Sequence, residues 1–512
     1  MRGSHSRTRP RGWLLFGIIA ALAAVMALAL LIGPRGRADD AAPGRPEPVG
    51  VLATGGTPTR DDPGLDALFT EALPDWLVAL NHPSKDPDEL SRRRDAVTAA
   101  SAGRPFGAAL NRMLDAASAA MRARETEAER AADELATAAE ALNDVLMASG
   151  LPYQVEPDVT ESDAGRRVIL FSFAIEHVAV YRSGAHTLRV LTLHRLDRLN
   201  WSFTLLGFTS ARRREALILA AQVEERLVDR LLPLLSSPPP RLYRIDGAES
   251  EPWGDTIEAL AANAIRRELG TTPALKRLGT LLARRRALFD AWDASLADRG
   301  IALASPEALR LPDSVPSELE GYVPGVELSE LRAIEMELAN PSITGAFATA
   351  RSRLIDSIAL HELQHRLDNL HGDLPHPPQL AQMVGPLRDR DGRPRRFATR
   401  AGAELSAYLG AMARDQALPQ TSLAILLQFL LEETYWDTPE GYAALVVFEE
   451  LTRMLATEAA APLVRDGTVD RAAAAAAYRA LARHSSATLR DSARSLWQRL
   501  FERPLDPIEP AR

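Results

Sequence analysis

Apolar residues follow the helical period along most of this chain. Between residues 106 and 148, Leu110, Leu114, Met121, Leu135, Leu142 and Leu146 form one apolar side in an Ala-, Glu- and Arg-rich stretch, with no Gly or Pro after Gly107. That pattern predicts one long helix or a helical hairpin. Helices are also predicted over residues 211–235, closed by Pro238-Pro239-Pro240, and over 256–269 and 272–298. The pattern changes between residues 151 and 210. Val168-Ile169-Leu170-Phe171-Ser172-Phe173 and Leu188-Arg189-Val190-Leu191-Thr192-Leu193 read as strands, with Arg182-Ser183-Gly184 as a turn between them. His177, His186 and His194 fall here at strand-like spacing, with no acidic cluster nearby, and read as ordinary sheet residues. From about residue 325 to the C-terminus the pattern is almost wholly helical. The fold class predicted is mainly α, with a small β-region near 151–210.

The N-terminal pattern is different again. Trp13 to Ile32 are twenty uncharged, almost wholly apolar residues, which as a helix span about 30 Å, the thickness of a bilayer core. Arg2, Arg7, Arg9 and Arg11 precede them, a bias that keeps the N-terminus in the cytoplasm and exports the rest. The stretch is longer than the roughly 7–15 residues of a signal-peptide core, so an uncleaved signal-anchor is expected. A cleaved signal peptide is the alternative. These signals divide the chain into a cytoplasmic basic segment (1–12), a transmembrane anchor (13–32), a Pro-, Gly- and Asp-rich flexible linker (33–64) and a helical region (65–150). A small α+β domain (151–240), a helical connector (241–324) and a helical C-terminal domain (325–512) follow. The expected setting is a bacterial inner membrane, with the bulk of the chain periplasmic.

Composition narrows the chemistry. Once the six arginines up to Arg37 are set aside, 54 of the 60 Lys+Arg remain against 68 Asp+Glu, which argues against nucleic acid as a partner. With no cysteine, disulfides, thiolate nucleophiles and Cys-ligated metals are excluded. Only Lys85 and Lys276 are lysines, and alanine is abundant, a bias typical of a GC-rich bacterial genome.

The strongest chemical signal is His361-Glu362-Leu363-Gln364-His365, an H-E-x-x-H segment in a stretch, 352–370, free of Gly and Pro. On a helix, residues i and i+4 share a face, so both imidazoles can reach one metal ion. Glu362 stands about 100° round from His361, placed to act as a base. Leu360, Leu363, Leu367 and Leu370 fall on the opposite side, so one face is predicted to pack while the other lines a cleft, with Leu354 and Ile358 as its wall. Two histidines do not hold catalytic zinc; a third protein ligand is needed. His371 gives H-E-x-x-H-x-x-D-x-x-H, close to the metzincin pattern, but Asp368 replaces the glycine at which that helix ends. The leucine stripe running to Leu370, with Gly372 placed as a cap, predicts a helix that continues and carries His371 away from the metal.

The other candidate is Glu404, in Ala401-Gly402-Ala403-Glu404-Leu405-Ser406-Ala407-Tyr408-Leu409. Glu followed three residues later by a small residue resembles the third-ligand helix of the gluzincin zinc metallopeptidases, with Ala407 allowing close approach. The resemblance rests on these two short motifs. It implies Zn2+ as cofactor, His361, His365 and Glu404 as metal ligands, Glu362 as the catalytic general base, and a peptide or protein as substrate. Two features depart from the family. Arg366 is charged where an uncharged residue is preferred, and no clear oxyanion-stabilising residue stands out among Tyr408, Tyr435, Tyr442 and His484. Asp368 is a candidate to orient a ligand imidazole, or a solvated carboxylate near Arg366. The long Pro-, Arg- and Asp-rich connection 372–400 reads as a lid or substrate-binding loop.

The expected function is therefore a membrane-anchored, extracytoplasmic zinc peptidase, with the membrane itself as a partner through the N-terminal helix. The alternative from another class is a non-catalytic cell-envelope scaffold carrying an accidental or vestigial motif. A zinc hydrolase of non-peptide bonds is a third reading. Nothing in the pattern fixes an oligomeric state.

Overall fold

The structure is a computed structural model. It describes residues 47–511 except 83–85, 87, 163–164, 198–205, 210–213, 241–242, 244–253, 298–302, 304–307, 373, 394, 415–416, 460 and 466. The expected basic segment and the anchor at residues 13–32 lie outside the described residues. No helix among the described residues is long and apolar enough to cross a membrane.

Among the described residues the chain is mainly helical, with a six-stranded sheet and a two-stranded hairpin. After short helical turns at Val51–Thr54 and Pro63–Ala67, the longer helices begin with α1 (Leu73–Asn81), α2 (Glu89–Ala100), α3 (Gly107–Arg122) and α4 (Ala128–Ala148). Strands β1 (Tyr153–Ser162), β2 (Gly165–Ser183), β3 (His186–Arg195), β4 (Gly207–Phe208) and β5 (Glu215–Leu219) follow. Next come α5 (Gly254–Leu269), α6 (Pro273–Ala297), α7 (Gly325–Leu338), α8 (Pro341–His371), α9 (Arg396–Met412), α10 (Pro419–Leu431) and α11 (Pro439–Leu455). A minimal hairpin of β6 (Val464–Arg465) and β7 (Thr468–Val469) leads to α12 (Arg471–Leu481), α13 (Ser486–Phe501) and β8 (Glu509–Pro510). The sheet order is β1-β2-β3-β5-β4, with β8 paired to β2. Among the described residues only β3 and β5 run parallel; the other pairs are antiparallel.

Alternation along the strands splits the sheet's side chains between two layers. Leu188, Val190, Ala216 and Ile218 join the large core of the C-terminal helices. Leu191, Leu193, Leu217 and Leu219 face the other way, onto Leu52, Met147 and Phe171. The helices α1 to α4 cover β1 and β2 through Tyr153, Val155, Val168 and Leu170. One apolar cluster runs from Leu188 to Ile508, so the core crosses the boundary that Pro238-Pro239-Pro240 suggested. Prolines mark a turn in the backbone, whereas a core is defined by what the flanking side chains bury.

Other expectations are modified. The 106–148 stretch is a hairpin, α3 and α4, broken between Ala123 and Glu127. The helix expected over 211–235 begins as strand β5, because Glu215–Leu219 pairs in parallel with Arg189–Leu193, and all five of its residues are buried. A fully buried strand has no period-2 signal to separate it from a helix. Residues 47–64, read as tether, hold a helical turn at Val51–Thr54, a buried Leu52 and a bridge from Gly56 to Val178. The supposed lid between α8 and α9 is also packed. Its short helix Pro378–Val384 lies against α9 and α11 with Leu380 fully buried, and the Arg395 N–H donates to the Leu387 carbonyl.

Candidate metal centre

The metal motif sits on α8, the longest described helix at 31 residues. It starts cleanly: the Asn340 side chain accepts from the Ser342 N–H, and Pro341 opens the first turn. It runs without a break past Asp368 to His371 and ends at Gly372, whose φ of 82° suits glycine. Burial extends around most of its circumference. Leu360, Leu363 and Leu367 face the core, and so does Leu354, expected in the cleft wall. Ile358 is half-buried against the same core. Strands β4 and β5 lie on one side of α8, with α6 and α9 on others.

Helix geometry stacks His361 and His365 one turn apart, their rings nearly perpendicular with centroids 4.7 Å apart. Both Nε2 atoms converge, 3.2 Å from each other. Glu404 arrives from α9, with Oε2 3.4 Å from the His361 Nε2 and Oε1 3.7 Å from the His365 Nε2. An ion held at 2.0–2.1 Å by tetrahedral ligands separates its donor atoms by about 3.3 Å. The three groups are therefore spaced to share one ion, and among the described residues they form the one such cluster. Two imidazole nitrogens and a carboxylate oxygen, without thiolate, suit a divalent ion of intermediate softness. The ligand side chains are 15–17% exposed, sheltered yet open to a small ion.

Charge balance shapes the cluster. Burial pushes the Glu404 carboxyl up, but the adjoining His365 and His361 outweigh it and leave the group lowered. His361 is pulled down by burial and more than restored by Glu404, so it ends raised; His365 is lowered to about 4, chiefly by burial. The difference follows from one carboxylate serving two rings: a proton on one imidazole disfavours a proton on the other.

Glu362 points to a different neighbour. It is 5% exposed, and the Thr209 hydroxyl lies 3.1 Å from both its Oε2 and its backbone carbonyl, able to donate to either. Burial, with the Glu404 charge behind it, raises the carboxyl to about 7. Gly207 is what lets the edge strand β4 ride over this residue: a Cβ there would stand 3.0 Å from the Glu362 Cγ and 2.8 Å from the Leu217 carbonyl.

The other singled-out residues go elsewhere. His371 pairs with Asp506 at 2.9 Å. Asp368 touches no ligand histidine; it is buried and accepts from Gln364 and Arg503, because its position on α8 turns it toward the last helix. Tyr408 lies with its ring 4.6 Å from that of His361, while Tyr435 packs on Phe429 and Tyr442 on Phe397. His484 stands in the turn between α12 and α13. Arg366 is buried. His177, His186 and His194 lie on β2 and β3.

Sequence reasoning missed the clamp behind the three-group cluster. Gln364, an unspecified position of the motif, accepts from the Arg414 guanidinium at 2.7 Å and donates to Asp368 at 2.8 Å. Arg414 also donates to the Asp506 carbonyl, and Trp497 to Ser406 on α9. This network joins α8, α9, α13 and the C-terminal tail. The close approach of α8 and α9 is made at Gly410, where a Cβ would lie 2.8 Å from the Gln364 Cγ and Oε1; Ala407 is buried as well. Gln364 is bonded on both sides and cannot swing away. Gly410→Ala is therefore expected to cost about 1–3 kcal/mol of stability and to weaken metal binding, measured by the denaturant midpoint and by titration against a chelator. An unchanged metal affinity would show that the helix spacing does not set the site.

No protein-family model matches the chain, and no curated protein or solved structure matches it.

Proposed function

We propose that the chain is a zinc-dependent peptidase, held at the outer face of a bacterial inner membrane by residues 13–32. The observation that carries the reading is the closure of the Glu404 carboxylate on both motif histidines, with Glu362 fixed beside the first of them. His361, His365 and Glu404 would hold the ion, which when bound supplies a Lewis acid and a water of lowered pKa. The chain's own part begins with Glu362. Its carboxylate takes the proton of the attacking water as the C–O bond forms, then delivers it to the amine nitrogen as the C–N bond breaks. Thr209 steadies the carboxylate through that exchange, and the Tyr408 ring fixes the His361 imidazole.

Metal analysis of the purified chain is expected to give one zinc per molecule, with cleavage of an unbiased peptide library that a chelator abolishes and zinc restores. A protein that purifies without metal and cannot be loaded would leave the envelope scaffold as the better reading. Cleavage of esters or non-peptide amides alone would favour the third one. For the anchor, a reporter fused after Arg512 is expected to be active only outside the cytoplasm, and a cytoplasmic signal would overturn the topology.

A further inference from the structure

Helix α9 carries Phe397, Arg400, Glu404 and Tyr408 at steps of three, four and four, which places them in one stripe along its length. The inner half is the metal centre: Tyr408 against His361, and Glu404 on both histidines. The outer end is Phe397, 37% exposed and edge-on to Tyr442 of α11. Arg400 lies between, one turn outward from Glu404, about 6 Å along the axis. At i,i+4 spacing its side chain shares the Glu404 face of α9, and its guanidinium reaches to within 3.9 Å of Glu440 on α11.

Arg400 is among the loosely paired arginines of the chain, as is Arg189 at 4.0 Å from Glu47. Ion pairs such as Arg93–Asp75 close to 2.7 Å and Arg471–Glu433 to 2.9 Å, whereas Arg400 stops 3.9 Å from Glu440. That is beyond the 2.7–2.9 Å of a charge-assisted hydrogen bond. Glu440 stands in the first turn of α11. At 29% exposure, Arg400 is half-buried. Its five donors form a planar fork that matches a carboxylate in two parallel bonds.

We propose that Arg400 is the carboxylate anchor of this cleft, and that the site takes peptides by their free C-terminal carboxylate and releases the last one or two residues. The inference rests on the peptidase reading and adds a substrate class to it. The length follows from reach: a residue spans at most about 3.3–3.6 Å, so a carboxylate anchored one helical turn from Glu404 brings a bond one or two residues from the C-terminus to the metal. The Phe397–Tyr442 edge then offers an apolar contact to the terminal side chain.

The test compares N-benzoylglycyl-phenylalanine with its C-terminal amide on the full-length, zinc-loaded chain. Binding is read by calorimetry in a Glu362→Gln background, and hydrolysis in the otherwise unaltered protein. The acid is expected to bind about 10–100-fold more tightly than the amide, as one charge-assisted contact implies, with kcat/KM following the same preference. Arg400→Gln should erase the preference while leaving zinc content unchanged. Arg400→Lys, which keeps the charge without the fork, should retain part of it. Glu440→Gln should keep or increase it, whereas a residue serving only to pair with Glu440 would make the two Gln variants behave alike. Equal handling of acid and amide, or a preference that survives Arg400→Gln, overturns the carboxylate anchor alone. Failure of the zinc-loaded chain to cleave the acid, the amide or an unfolded protein overturns the peptidase reading, and the anchor with it.

Discussion

Glu362→Gln is expected to bind zinc as the unaltered chain does and to lose hydrolysis by 10²–10⁴-fold, the span a general base contributes. The substitution is nearly isosteric, which matters because the Gly207 backbone leaves no spare room over this side chain. A carboxamide oxygen can still accept from Thr209, so the local hydrogen bond survives, but a carboxamide cannot take up and return a proton. Glu362 is outside the three-group cluster that can hold the ion, and zinc should therefore persist. Thr209→Val is the companion variant: it removes a hydrogen bond to the Glu362 carboxylate, and its effect should stay at or below about 10–100-fold. Steady-state rates on any peptide the chain cleaves, with zinc content on the same samples, decide the matter. Full activity in Glu362→Gln would move the base elsewhere.

Glu404→Ala and His371→Ala should separate just as sharply. Loss of a ligand whose oxygens lie 3.4 and 3.7 Å from the two ring nitrogens is expected to abolish stoichiometric zinc. It should weaken affinity by more than the 10–100-fold typical of losing an outer-shell partner. His371 ends α8 and pairs with Asp506 at the surface; its loss should leave zinc untouched and stability within about 1 kcal/mol. Chelator competition on the two variants gives the answer. The reverse result would require α8 to break near Asp368, contrary to its unbroken course.

The metal motif was legible because it is local. Two histidines four residues apart need only a helix, and the apolar residues around Leu363 predict one. Glu404 was legible only through an analogy of short motifs, since nothing in residues 366–403 encodes how α9 returns to α8. Strand β5 was hidden by full burial, and the packed stretch 372–400 by its Pro and Arg content, although Leu380 anchors it. The clamp was out of reach for another reason. Gln364, Ser406, Arg414, Trp497 and Arg503 are unremarkable singly, and only the tertiary fold puts them in one network. Arg400 was equally silent: an arginine on a helix has no sequence signature of what it faces.

That clamp also sets an order of events for a chain made from its N-terminus. All three groups that can hold an ion are synthesised by Glu404, yet Trp497, Arg503 and Asp506, which tie α8 and α9 from behind, come 93 to 102 residues later. A nascent or truncated chain thus possesses all three groups of the cluster and still lacks the fastening that holds them in register. Competence arrives with the final helix, so damage to the C-terminal tail should silence the centre as surely as damage to the motif.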